Sequence, residues 1–226
     1  MGLFSGATIA FDLDGTLVDT APDLVAALNA VLAEQGLAPL PFEDARMMVG
    51  RGAKALIEQG YAATGLPLPP ELAPDLFELF IEIYLARIAR ESRPFDGLVE
   101  TLDALASDGA RLCVCTNKRT DLSLALLDAL HLTRHFDAIV GADKAPAAKP
   151  DGRHLICAVE LAGGDIARAL MVGDSITDVT AARNAGAPVV VTSFGYTDIE
   201  PGKLGADAVI DSFAELPAQA ARLLNP

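Results

Sequence analysis

The sequence predicts an α/β protein: a parallel sheet covered by helices on both faces, with an all-helical insert between its first and second strands. Three observations predict it. Short apolar runs rich in β-branched residues recur along the chain, which suits strands buried on both faces. Between them lie amphipathic stretches with apolar residues every three or four positions, several closing in glycine. The alternation fails once, from about Thr20 to Glu91, where three helical patterns follow one another with no strand-like run between them.

In chain order, the strand candidates are "ATIAF", "RLCVCT", "DAIVGA", "ALMVGD" and "PVVVTS", with a weaker "DAVI" near the end. In the insert, "PDLVAALNAVLAEQG", "GAKALIEQGYAATG" and "PPELAPDLFELFIEIYLARIARE" read as helices, the third opening on prolines that suit a first helical turn. Beyond it, "GLVETLDALASDG", "DLSLALLDALHL", "GRHLICAVELAGG" and "SITDVTAARNAGA" are the helices between strands, and "FAELPAQAARLL" closes the chain. The domain boundaries that follow are 1–18 and 92–226 for the α/β core and 19–91 for the insert, with hinges near Val18–Thr20 and Glu91–Pro94.

Composition narrows the function. A formal net charge of -14 argues against a nucleic-acid or anionic-membrane surface, since both repel a strongly acidic protein. Cys113, Cys115 and Cys157 make no disulfide framework and lack zinc-site spacing. Cys113 and Cys115 alternate in a strand and read as buried fillers. No secretory signal, membrane-length run or intact myristoylation pattern is present, so a reduced, cytoplasmic protein is expected. His131, His135 and His154 lie around helix ends and read as surface or capping residues.

In an open parallel sheet, ligands collect at the carboxyl ends of the strands, near the point where strand order reverses. Here the first, second and fourth strand candidates run into "DLDGT", "TNK" and "GDS", and Lys149 lies in the loop "APAAKPDG" before the fourth. Asp12, Asp14 and Asp174, with the Lys149 ammonium and the Thr116 hydroxyl, are therefore expected to converge. Clustered carboxylates repel one another unless a cation sits among them, and hard oxygen ligands with room for phosphate and water favour Mg²⁺. Singly, Asp14-Gly15 reads as a turn, Asp174 and Thr116-Asn117 as helix caps, and Lys149 as a solvated cation. Together, in this order, they read as a catalytic set.

The set Asp12-Leu13-Asp14-Gly15-Thr16, Thr116, Lys149, and Gly173-Asp174 with Asp178 resembles the four motifs of the haloacid dehalogenase superfamily, and the match spans nearly the whole chain. The resemblance implies a three-layer, Rossmann-like α/β core whose insert is an α-helical cap domain. It implies that Asp12 attacks phosphorus, that Asp14 acts as acid and base, and that Thr116 and Lys149 hold phosphate oxygens, with N–H donors from Leu13 and Asn117. It also implies Mg²⁺ held by Asp12, Asp174 and the Asp14 carbonyl, with Asp178 in support, orienting a metal water or pairing with Lys149. Relatives often carry a proline where this chain has Gly152, and the glycine is expected to loosen the helix that follows Lys149.

An acid at position 14 separates the chain from the dehalogenases and phosphonate hydrolases of that superfamily. "FDLDGTLVDTAPDL" and "VGDSITDVTAARNAGA" are similar to its phosphoglycolate phosphatases. The expectation is a Mg²⁺-dependent phosphatase of a small phosphorylated metabolite, 2-phosphoglycolate favoured, working as a monomer or homodimer. In "MMVGRGAKAL", Arg51 between two glycines, with Lys54 nearby, offers a cation for the substrate carboxylate. A solvent-facing Arg51 in a flexible loop is the competing reading. The alternatives are a β-phosphoglucomutase-like phosphoryl transfer, a phosphoacceptor signalling module, or a binding module without activity. The receiver type has its acceptor on a middle strand and no helical insert of this size.

Overall fold

A computed structural model describes residues 2–224 of the chain. Its elements run β1 (Thr8–Phe11), β2 (Val18–Asp19), α1 (Ala21–Glu34), α2 (Phe42–Arg46), α3 (Ala53–Ala63), α4 (Ala73–Leu85), β3 (Arg93–Pro94) and α5 (Leu98–Ser107). They continue with β4 (Arg111–Thr116), α6 (Thr120–Ala129), β5 (Ala138–Gly141), α7 (Gly152–Leu161), β6 (Ala169–Gly173), α8 (Ile176–Ala185), β7 (Val189–Thr192), β8 (Ala208–Ile210) and α9 (Leu216–Leu224).

Six strands form one parallel sheet in the order β5-β4-β1-β6-β7-β8. Strand order reverses at β1, between β4 and β6, so the crevice beyond its carboxyl end is the fold's natural ligand site. The period of two along each strand builds two separate layers. Leu112 and Val114 of β4 join Ile9, Phe11, Leu170 and Val172 in the cluster packed on α5, α6 and α9. Cys113 and Cys115 turn the other way, into the cluster with Leu155 and Val159 of α7 and Ala182 of α8. Both thiols are free and buried, as fillers, and burial pushes the Cys115 thiol up to about 12.

The insert builds its own apolar centre from Leu24, Leu28 and Leu32 of α1, Leu56 and Ile57 of α3, and Phe80 and Tyr84 of α4. Leu122 and Tyr196 join it from the other side. The sequence suggests a longer third helix, but α4 stops at Leu85. The chain then tightens, Arg87 N–H bonding the Tyr84 carbonyl, and the N–H groups of Glu91 and Ser92 leave the helical direction to donate to Asp23 at 2.9 and 2.8 Å. Ser92 Oγ adds a third donor at 2.8 Å. Burial raises the Asp23 carboxyl, but these donors outweigh it and hold it below its ordinary value. The strands β2 and β3 pair antiparallel beside this lock, Val18 opposite Pro94 and Asp19 opposite Arg93. They are too short to show a period. No described helix is long and apolar enough to cross a membrane.

Gly152 corrects an expectation. A Cβ there would lie 2.6 Å from the Ala185 nitrogen and the Asn184 carbonyl carbon, so glycine lets the start of α7 sit against the end of α8. The helix is also capped, Asp151 accepting from Arg153 N–H at 2.9 Å. The residue tightens the helix start instead of loosening it.

Candidate active site

Asp12 and Asp14 follow β1, Thr116 ends β4, and Asp174 follows β6, so three neighbouring strands deliver them to the switch point. Lys149 comes from the loop between β5 and α7, and its ammonium lies 2.9 Å from Asp12 Oδ1 and 2.7 Å from Asp178 Oδ1. Asp178 Oδ2 accepts from Ser175 Oγ at 2.7 Å and from the N–H groups of Ser175 and Asp174 at 3.1 and 3.3 Å. Asp178 therefore orients Lys149 and closes the first turn of α8. Carboxylate oxygens of Asp12, Asp174 and Asp178 lie within 4.8 Å of one another.

This cluster carries three buried carboxylates against one ammonium. Burial raises the Asp12 carboxyl to about 6, Lys149 opposing the shift and Asp178 adding to it. Asp174 is pushed well above its usual range by burial and by its two acidic neighbours. Burial pulls Lys149 down, but Asp12 and Asp178 outweigh it and raise it. A buried set short of positive charge, offering hard oxygen ligands, fits a divalent cation such as Mg²⁺. Asp174 is further fixed by Tyr196 N–H at 2.6 Å on Oδ2 and Thr16 Oγ1 at 3.3 Å on Oδ1.

Leu13 N–H donates to Asp12 Oδ1 at 2.7 Å. The Asn117 amide clamps the Lys149 backbone, accepting from its N–H at 2.9 Å and donating to its carbonyl at 3.0 Å. His154 is a correction: it is fully buried, neither surface nor cap. Its Nδ1 accepts from Lys149 N–H at 3.2 Å, which leaves Nε2 to donate to the Val140 carbonyl at 3.1 Å. Burial and the nearby Lys149 lower it to about 4, so it is neutral near pH 7. His131 is exposed, and His135 is half-buried beside Asp103.

Asp14 faces away from the carboxylate cluster. Thr20 Oγ1 donates to its Oδ1 at 2.7 Å, and Lys118 Nζ lies 2.9 Å from both of its oxygens. Lys118 stands in the "TNK" stretch, but its position two residues past a strand end gave no sign of which group it would meet. Arg51 is exposed and lines a cleft with Asp174, Ser175 and Tyr196, with Gly50 and Gly52 at φ 106 and 86°. That backbone is open to glycine and costly for other residues. Lys54 lies over the Phe77 ring at 5.5 Å, within the insert.

Parallel sheet, switch-point carboxylates with their lysine, and helical insert together define a Rossmann-like hydrolase core carrying a helical cap. A family model described as haloacid dehalogenase-like hydrolase matches residues 9–192. The chain belongs to that family. It is 61% identical over 221 residues to a phosphoglycolate phosphatase of Caulobacter vibrioides, covering 98% of this chain and 93% of that one. It is 36% identical over 211 residues to an N-acetylmuramic acid 6-phosphate phosphatase of Pseudomonas aeruginosa, covering 92% of each. The crystal structure of a predicted phosphoglycolate phosphatase from Haemophilus somnus superposes with a TM-score of 0.89 at 29% identity, covering 97% of this chain and 99% of that one.

Proposed function

We propose that this protein is a Mg²⁺-dependent phosphatase that hydrolyses 2-phosphoglycolate in the cytoplasm, with residues 19–91 acting as a cap over the core. The observation that carries the chemistry is the buried chain Asp12–Lys149–Asp178 beside Asp174. The substrate follows the 61% identical relative.

Asp12 Oδ1 is taken by Lys149 and Leu13 N–H, so Oδ2 is the oxygen presented to phosphorus. Its attack forms the Asp12–phosphorus bond and breaks the ester P–O bond, giving an aspartyl-phosphate. Asp14 gives a proton to the leaving alkoxide, then takes one from the water that attacks the same phosphorus and frees Asp12. Lys149, the Thr116 hydroxyl and the Asn117 N–H hold the equatorial oxygens on which charge spreads, and the Leu13 N–H, resting on Asp12 Oδ1 here, turns to them when phosphate is bound. Asp12, Asp174 and the Asp14 carbonyl would hold Mg²⁺, which supplies positive charge to a phosphate oxygen. Asp178 and His154 keep Lys149 in place from its two ends. Arg51, exposed on the cap loop, meets the anion as it arrives.

The test is phosphate release from 2-phosphoglycolate, β-glucose 1-phosphate, N-acetylmuramic acid 6-phosphate and nucleotides, with Mg²⁺ and with EDTA. The expected result is a lead for phosphoglycolate of orders of magnitude in kcat/KM, abolished by EDTA. A flat, Mg²⁺-dependent profile would remove the substrate and keep the chemistry. No release from any ester would remove the phosphatase.

A further inference from the structure

The ion pair between Lys118 and Asp14 lies at the floor of a cavity between cap and core, walled by Leu24, Leu56, Phe80, Ile81 and Tyr84. Lys118 is 7% exposed and Asp14 8%. The ammonium also sits over the Tyr84 ring, 4.7 Å from its centroid, a contact that holds a cation in apolar surroundings. An amine held 2.9 Å from both oxygens of a carboxylate is an ammonium in a charge-assisted pair. Arg119 lines the same cavity but is committed to Asp121, with contacts of 3.1 and 2.7 Å. Arg51 opens on the other cleft, with Asp174. Lys118 is thus the buried cation on the cap side of the proton-transferring aspartate.

Both groups on the Asp14 carboxylate, the Thr20 hydroxyl and the Lys118 ammonium, use it as an acceptor, whereas a leaving alkoxide also needs an Asp14 oxygen. A substrate has to draw Lys118 aside before Asp14, a carboxylate in this ion pair, can take up a proton from solvent and pass it to the ester oxygen. Moving a buried ammonium off its carboxylate is costly unless another anion takes that carboxylate's place. In 2-phosphoglycolate a single methylene separates the ester oxygen from the carboxylate, so a carboxylate is available one carbon beyond the atom Asp14 serves. The cavity volume of about 40 Å³ has room for about three water-sized groups, the size of a carboxylate and smaller than a sugar ring.

We propose that Lys118 is the specificity residue of this enzyme: its ammonium receives the carboxylate of the substrate's leaving group and releases Asp14 as it does so. This rests on the phosphatase reading above and adds the residue that selects the substrate. An ester without the anion leaves Lys118 on Asp14, so discrimination is built into the same contact that frees the acid. Sites that pair a buried polar group with a substrate group reject analogues lacking it by about 10⁴-fold.

The experiment compares 2-phosphoglycolate with ethyl phosphate, which lacks the carboxylate, in the full-length protein, Lys118→Gln, Lys118→Met and Arg51→Met. Thermal melts check folding. Lys118→Gln still offers Asp14 an N–H donor but no charge, so it carries the test should Lys118→Met not fold. The expected result is a wild-type preference for phosphoglycolate of about a thousandfold or more that falls below about tenfold in both Lys118 variants, mainly through KM. Equal losses on both esters would make Lys118 a support for Asp14 and overturn the inference. So would a preference kept in Lys118→Gln, or one lost only in Arg51→Met; each leaves the phosphoglycolate reading standing. A wild type that treats the two esters alike would overturn both.

Discussion

The Tyr196 phenol donates a hydrogen bond to the Asp19 carboxylate across the junction of core and cap, while the Tyr196 N–H donates to Asp174 Oδ2 at 2.6 Å. The same phenol oxygen accepts from Ala21 N–H, at the first residue of α1, at 3.0 Å. One residue thus ties a metal-ligand candidate to the start of the cap. Tyr196→Phe removes the phenol contacts and keeps the N–H. A loss of about 2 kcal/mol is expected, from a hydrogen bond to a charged group and an orphaned N–H. At this chain length that is a fall in Tm of roughly 4–8 °C, read by thermal unfolding.

Asp12→Asn should abolish turnover by more than about a thousandfold, since the amide cannot form the phosphoenzyme. The fold should survive, and in EDTA the variant should melt no lower than the wild type, because one charge of a crowded buried set is gone. Steady-state kinetics and melting curves check the two halves separately. Retained full activity would remove the nucleophile.

Mg²⁺ binding should be visible without substrate. A cation that binds only the folded state stabilises it by about 2.7 kcal/mol at one hundred times its Kd. The wild-type Tm should therefore climb as Mg²⁺ is titrated, while Asp174→Asn should show little climb. A rise of equal size in both proteins would place the cation elsewhere.

His154 gives the protein a pH dependence of known sign. Its folded value, about 4, lies below the ordinary 6.5 of the unfolded chain. Between those values the unfolded state binds more protons, so stability falls as pH drops from 6.5 towards 4, by about 3 kcal/mol from this residue at 1.36 kcal/mol per unit. Asp12, raised to about 6, acts in the opposite sense. The readout is therefore the difference between wild type and His154→Asn in denaturant unfolding, which should shrink over that range.

Gly152→Ala places a methyl where the backbone of Asn184 and Ala185 already lies. The expected cost is about 1–3 kcal/mol, with activity falling because Lys149 stands three residues before. Unchanged stability would mean that α7 and α8 separate easily.

Much of this protein was legible in local pattern. The run Arg111–Thr116 is the strand β4 with the predicted ends, because a period of two and β-branched content act over a few residues. The motif residues Asp12, Asp14, Thr116 and Asp174 lie at the carboxyl ends of three central strands, Lys149 in the loop after the edge strand β5 and Asp178 in the first turn of α8, because a parallel sheet sends every such end to one edge. The short helix α2 and the ribbon of β2 and β3 escaped, since five and two residues carry no readable period.

What the sequence alone determined is therefore the layered fold, its helical insert and the place of the candidate site residues. The tertiary structure decided which side chain meets which. Lys118 and Asp14 are 104 residues apart, and Asp23 and Ser92 are 69 apart. His154 occupies a helix position that surface and core residues share, and its burial follows from what packs over α7. Periodicity records whether a position faces inward. The partner it finds there depends on the reversal of strand order at β1 and on the chain's return from the cap, and a buried charge is stable only where that long-range path delivers its counter-charge.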